Sequence, residues 1–173
     1  WGAVALGYNT TQASNLLGVV AIGTAAGAVL ASMRMRLETA TKVIPLGVLM
    51  GLLVMCMVFI TDQWIAVPFL IVLGGLGGFL VVPMNALLQH RGHNLMGSGR
   101  SIAVQNFNEQ AAILALGGFY MLSTKYGLSA LGAIMVFGLL VAGIMVFIGL
   151  WYRLNCRRYP DEIQHLLEIA RKD

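Results

Sequence analysis

Charged side chains are scarce in this chain. Asp, Glu, Lys and Arg together make up 10% of its 173 residues, whereas soluble domains average about 25%. Hydrophobic residues make up 58% of the sequence, and the mean hydropathy is +0.81. This composition excludes an ordinary soluble domain and predicts an all-α integral membrane protein.

Cysteine and targeting signals are scarce too. Cys56 and Cys156 are the only cysteines, too few for a disulfide framework, so we expect two free thiols. The chain opens with WGAVALGYNTTQ, which has neither an initiator Met nor the basic start of a signal peptide. We interpret residues 1–8 as the outer end of a further helix that precedes this chain.

Motifs for catalysis or cofactor binding are missing as well. The run GSGRS at 97–101 lacks the lysine of a phosphate-binding loop. His90, His93 and His165 have no Cys or carboxylate at metal-ligand spacing, and we place the first two in a loop at 89–100. No nucleophile has a positioned base. We therefore expect no enzyme activity, metal or cofactor, and we attribute the net charge of +4 to membrane topology instead of nucleic-acid binding.

Long apolar runs are what the sequence does contain. Four of them, at about 12–33, 43–61, 64–88 and 128–152, are each long enough to cross a bilayer. A fifth segment, 101–123, is half polar, and hydropathy alone would miss it.

Charge decides whether this fifth segment spans. If it does, one side of the membrane carries nearly all the basic residues: Arg34, Arg36, Lys42, Arg91, Arg100, Arg153, Arg157, Arg158, Arg171 and Lys172. The other side carries only Lys125. The positive-inside rule therefore predicts five transmembrane helices plus the end of a sixth within 1–153, with a cytosolic C-terminus.

Two further patterns concern packing and the tail. Small residues recur at the spacing of close helix packing: Gly23 with Gly27, Gly47 with Gly51, and Gly74 with Gly78. Residues 154–173 form a predicted cytosolic tail, in which a short amphipathic helix follows Pro160. We expect that helix to lie on the membrane surface, or alternatively to dock a partner.

The most informative feature is a polar stripe on the fifth segment. Gln105, Asn108, Glu109 and Ala112 share one face at 100° per residue, and Glu109 lies near the predicted midplane of the bilayer. A carboxylate at that depth is costly unless it faces the protein interior or water. Farther along, the same face becomes apolar and aromatic, with Leu116, Phe119 and Tyr120.

We predict that this stripe binds a molecule with a polar head and an apolar remainder. Asn85, two residues after Pro83, is a weaker candidate for the same site. The alternative is structural: Glu109 hydrogen-bonds to a helix outside this chain.

Particular segments carry a family resemblance. The runs GGFLVVPMNALLQHRG (77–92) and GSGRSIAVQNFNE (97–109) closely resemble the bacterial lysophospholipid transporters of the major facilitator superfamily. WGAVALG, VVAIGTAAGA and LETATKVIPLGVLMG resemble them in the same order, so that the similarity covers most of 1–152. The loop SMRMRLETATK is only a degenerate form of the superfamily's Gly-Asp-Arg-Gly-Arg motif.

The resemblance implies that this chain is the C-terminal six-helix half of such a transporter. Family members move lysophospholipids, mainly lysophosphatidylethanolamine, from the outer to the cytosolic leaflet of the bacterial inner membrane by alternating access. A cytosolic acyltransferase/acyl-carrier-protein synthetase then re-acylates them, and the transporter breaks no covalent bond. The expected partners are the lipid, the N-terminal half and that synthetase.

Two alternatives remain open. One is a proton-coupled major facilitator exporter of small amphiphiles or drugs, and the other is a non-transporting membrane subunit that docks an enzyme through its tail. No Lys or Arg lies inside any predicted span. A cation for a lipid phosphate would therefore come from the N-terminal half.

Overall fold

The computed structural model describes residues 1–160, except for the side chain of Glu38, and the regular structure of that part is entirely helical. The predicted all-α class is confirmed. The predicted tail helix lies beyond Pro160, outside the described residues. The helices are α1 (Gly2–Ala5), α2 (Thr10–Arg34), α3 (Ile44–Cys56), α4 (Gln63–Met96), α5 (Ser98–Lys125) and α6 (Ala130–Arg158), with 3-10 turns at Leu37–Val43 and Met57–Phe59 on either side of α3.

Four segments of the described chain are long and apolar enough to cross a membrane. They are Thr10–Arg34, Thr39–Phe59, Gln63–Met96 and Ala130–Arg158. These correspond to the four apolar runs of the sequence. The segment predicted at 101–123 forms the continuous 28-residue helix α5, about 42 Å long at ~1.5 Å per residue, and the polar residues of its first half lower its hydropathy.

The predicted loop at 89–100 is wrong for most of its length. His90, Arg91 and His93 lie in the last turns of α4, which ends at Met96. Gly97, with φ +83°, separates α4 from α5. Hydropathy marks where an apolar run ends, but the helix continues through polar residues until Gly97, whose positive φ favours glycine. Helix α6 likewise continues through polar residues, to Arg158, past the predicted end of its span at 152.

Contacts between glycines and neighbouring backbones show how α2 and α4 run relative to each other. A Cβ atom added at Gly23 would overlap the carbonyl oxygen of Ile71, and one added at Gly27 would overlap that of Gly75. A later residue of α2 thus contacts a later residue of α4, so the two helices run parallel.

The other helix pairs run antiparallel. An added Cβ at Gly47 would lie 2.7 Å from the Met145 sulfur, and one at Gly138, further back in α6, would lie 2.5 Å from Met55 Cγ, further along α3. The same added Cβ at Gly47 would lie 3.0 Å from Leu80 Cδ1 of α4, and one added at Gly77 of α4 would lie 3.8 Å from the Met50 sulfur of α3, so α3 is antiparallel to α4 as well. Helix α3 is therefore antiparallel to α6, and the path from α2 through α3 to α4 alternates in direction.

The end at which α2, α4 and α6 finish is called the basic end, because Arg34, Arg91 and Arg153 lie there. Helix α1 lies at the opposite end, where the Trp1 indole N–H donates to the carbonyl oxygen of Met57 at 2.8 Å. This contact joins residues 56 positions apart in the chain.

Small side chains make up the helix contacts. The six paired glycines named above are all buried, as the packing pattern predicted. Among the fully buried side chains of the described part, the largest is Val43. Large apolar side chains such as Leu17, Ile22 and Phe147 are exposed instead. Small residues inside and large apolar residues outside are typical of a helix bundle whose outer surface meets lipid, because only small residues let helix backbones approach closely.

The α2–α4 contact yields a stability prediction. Replacing Gly27 by Val places a side chain against the Gly75 backbone, whereas Gly18 of the same helix faces open space. We expect Gly27→Val to lower the free energy of unfolding in detergent by about 1–3 kcal/mol, and Gly18→Val to change it little. Equal losses in the two variants would contradict the packing of α2 on α4.

Candidate functional site

Helices α4 and α5 form a hairpin that positions the polar stripe. The Gly97 N–H donates to the His93 carbonyl oxygen at 3.0 Å, and the Ser101 N–H donates to the Gly97 carbonyl oxygen at 3.1 Å. The chain thus passes from the last turn of α4 to the first turn of α5 within one residue. The side chains in the last turns of α4 therefore lie beside those in the first turns of α5.

Ser101, in the first turn of α5, packs against Gly92 of α4. Its side chain is 6% exposed, and a Cβ added at Gly92 would overlap its hydroxyl oxygen. Gly92 is itself buried. The missing side chain at Gly92 therefore lets α5 approach α4 closely at its first turn.

One turn further along, two amides link the helices. The Gln89 side-chain amide donates from Nε2 to Oε1 of Gln105 at 3.3 Å. Gln105 was predicted as a site residue, but Gln89 was not. The sequence does indicate Gln89, because it follows Asn85 by four residues and both amides therefore lie on the same side of α4.

The antiparallel register places two further predicted residues at one level. Asn85 is one helical turn before Gln89, and Glu109 is one turn after Gln105. Since Gln89 pairs with Gln105, Asn85 and Glu109 lie at the same height along the hairpin. Asn85 is half-buried and Glu109 is exposed.

The far end of the stripe contacts α6. The Phe119 ring meets the Phe137 ring edge-on, with centroids 5.9 Å apart, and the Tyr120 ring lies 6.4 Å from the same partner. Because Phe137 is near the start of α6, α5 is antiparallel to α6 as well as to α4. The face that was predicted from 100° spacing is thus the face that α5 turns toward its neighbours at both ends.

The middle of the same face is open. Asn108, Glu109 and Ala112 are all exposed within the described chain. Of the five predicted site residues, Gln105 alone makes a side-chain hydrogen bond to another helix in the described chain, and Asn85 is half-buried on α4. The other three lie on the exposed length of α5 between its contacts with α4 and α6.

This arrangement suits recognition more than covalent chemistry. Amides can donate and accept hydrogen bonds, and an ionised carboxylate accepts them from an ammonium group. Residues 1–160 contain no group of three His, Cys, Asp or Glu side chains that could hold a metal ion.

Comparisons with known proteins identify the relatives of this chain. It is 38% identical over 154 residues to a protein of Escherichia coli O157:H7 (strain EC4115 / EHEC) named "Lysophospholipid transporter LplT". Proteins with the same name from Enterobacter sp. (strain 638) and Shigella flexneri serotype 5b (strain 8401) are 39% and 38% identical. Its relatives are bacterial lysophospholipid transporters.

The resemblance read from the sequence is therefore confirmed. Each alignment covers 88% of this chain and 39% of the relative, so the chain spans well under half the length of the curated relatives it matches. The lysophospholipid transporter relatives are named as transporters and not as enzymes, in agreement with the expectation from the sequence. No family model matches the chain, and no solved structure does.

The hairpin geometry yields a cross-linking prediction. With Cys56 and Cys156 replaced by Ala, cysteines at positions 89 and 105 should be joined efficiently by a short bismaleimide. Gly92→Val should reduce the yield several-fold, because the new side chain displaces Ser101 and with it the start of α5.

Gly99→Val is the matched control, since nothing lies within 4 Å of a Cβ added there. The yield, read from a gel shift after site-specific cleavage between the two helices, should stay high in this variant. An unchanged yield in Gly92→Val would contradict the packing of Ser101 on Gly92.

Proposed function

We propose that this chain is the C-terminal half of a major facilitator transporter for lysophospholipids, mainly lysophosphatidylethanolamine. It moves them from the outer to the cytosolic leaflet of the bacterial inner membrane by alternating access, and a cytosolic acyltransferase/acyl-carrier-protein synthetase re-acylates them. The observation that carries this proposal is the open polar stripe of α5 in a chain whose relatives are named lysophospholipid transporters.

Helix direction supports five membrane crossings. Helices α4 and α6 are both candidate spans, and both finish at the basic end. After α4 the chain must return to the opposite end before α6 begins, and α5 is the helix that makes this return. Five crossings place the basic end in the cytosol, with α1 as the outer end of a sixth helix.

Glu109 is the proposed partner of the lipid ammonium group. Gln105 and Asn108 flank it on the stripe, and Asn85 lies at its level on α4. The lipid phosphate requires a cation, which in this proposal comes from the N-terminal half, because the predicted spans of this chain contain no Lys or Arg.

Ala112 marks the boundary between the head-group level and the acyl-chain level. Beyond it the stripe continues with Leu116 and then Phe119, both of which are partly exposed. A single acyl chain has an apolar path there, whereas a second chain would need an equal volume elsewhere. We therefore propose that the site prefers one-chain phospholipids to two-chain phospholipids.

Replacing Glu109 tests the proposal. Glu109→Gln keeps the shape of the side chain and removes its charge, so uptake of labelled lysophosphatidylethanolamine into spheroplasts should fall about tenfold or more. A charge-assisted hydrogen bond contributes roughly 1.5–3 kcal/mol, and 1.4 kcal/mol corresponds to tenfold. Gln110→Ala, one residue along but off the stripe, should transport normally.

The outcome separates the alternatives. Unchanged uptake at equal protein level would show that transport does not use the carboxylate, and loss of the variant from the membrane would favour a structural hydrogen bond. Equal uptake of the diacyl lipid by the parent protein would favour the exporter of small amphiphiles.

Labelling from outside the cell tests the topology. In a protein without Cys56 and Cys156, a cysteine replacing Tyr126, which is 86% exposed between α5 and α6, should react with an impermeant maleimide in intact cells. A cysteine replacing Gly99, in the first turn of α5 at the basic end, should react only after permeabilisation. Labelling of both from the same side would show that α5 does not cross the membrane.

A further inference from the structure

A second opening lies on α3 and α6, away from the polar stripe. It is a groove of about 640 Å³ at the basic end, between the 3-10 turn that precedes α3 and the last turns of α6. Neither α4 nor α5 contributes to its lining. The groove is therefore separate from the site proposed for the transported lipid.

The mouth of the groove is cationic. Lys42 and Arg153 both line it and both are exposed. Thr41 and Tyr152 also line the groove, and the Thr41 hydroxyl donates to the hydroxyl oxygen of Tyr152 at 3.1 Å, so the hydrogen of Tyr152 can serve another acceptor. None of the groove's described lining residues is acidic. Two cations and a hydroxyl donor suit a phosphate group.

The rest of the groove is apolar. Its lining runs along Ile44 and Val48 of α3 and along Met145 and Gly149 of α6. These residues lie inside the apolar runs predicted at 43–61 and 128–152, whereas Lys42 and Arg153 flank those runs, so the proposal places them at the level of the hydrocarbon. A peptide segment at that depth would have to satisfy its backbone polar groups, whereas an acyl chain has none.

We propose that this groove binds an anionic diacyl phospholipid of the surrounding membrane. Its phosphate lies between Lys42 and Arg153 and accepts a hydrogen bond from Tyr152, while one acyl chain lies along Gly149. Basic pockets between helices on the cytosolic side of membrane proteins bind acidic lipid head groups in this way. A net anion is favoured over a zwitterion because the described residues that line the groove include two cations and no carboxylate.

Native mass spectrometry of the purified transporter that contains this chain tests the proposal independently of uptake. Phosphatidylglycerol and phosphatidylcholine with identical acyl chains are supplied together, and the retained lipid is counted. The parent protein should retain phosphatidylglycerol several-fold over phosphatidylcholine.

Charge removal at the mouth should abolish this preference. The double variant Lys42→Gln with Arg153→Gln should retain the two lipids equally. Arg157→Gln with Arg158→Gln removes two charges from the same end of α6 without touching the groove lining, and it should keep the preference.

Filling the groove should affect both lipids. A Cβ added at Gly149 meets Ile44 Cγ2 at 3.5 Å, an ordinary contact, whereas nothing lies within 4 Å of one added at Gly143. We expect Gly149→Leu to reduce retention of both lipids and Gly143→Leu to leave it unchanged.

Three outcomes would overturn the proposal. These are equal retention of the two lipids by the parent, equal effects of a variant and its control, and stronger retention of a lysophospholipid than of the diacyl form. The last would assign the groove to the transported substrate. Loss of uptake without a change in lipid retention would bear on the proposed function alone.

Discussion

Close approach of helix backbones at glycine is the contact on which this bundle depends. Gly23 and Gly27 of α2 lie against the backbone of α4, and Gly51 of α3 lies against that of α6. Lipid offers no hydrophobic driving force between helices, so van der Waals packing of small residues must hold them together. Large apolar side chains then point outward, and the polar residues of α4 and α5 keep their positions only because these contacts fix the helices.

Helix α5 is attached differently from the others. Ser101 and Gln105 join it to α4 at one end, and Phe119 and Tyr120 join it to α6 at the other, but its middle is open. In the described chain Glu109 lies on this exposed length, where the proposed function has it contact the lipid. The polar residues that make α5 a poor span by hydropathy are thus the ones that the proposed transport function requires.

The polar stripe and the groove contrast in charge. The stripe carries a carboxylate and amides near the middle of the bundle, whereas the groove carries Lys42 and Arg153 at its basic end. An ammonium-bearing head group suits the first, and an anionic head group suits the second. The two proposals together assign distinct lipids to one chain, the transported lipid to α5 and a membrane lipid to the groove of α3 and α6.

The sequence by itself determined the helical membrane class, four apolar spans, the glycine contacts and the face that carries Glu109, because composition and 3.6-residue periodicity are local properties. Tertiary structure alone decided that Gln89 pairs with Gln105 and that Thr41 meets Tyr152 across 111 positions of chain. Those contacts depend on the directions and register of separate helices, which no single segment encodes. The groove is likewise formed by two helices together, so neither sequence segment predicts it alone.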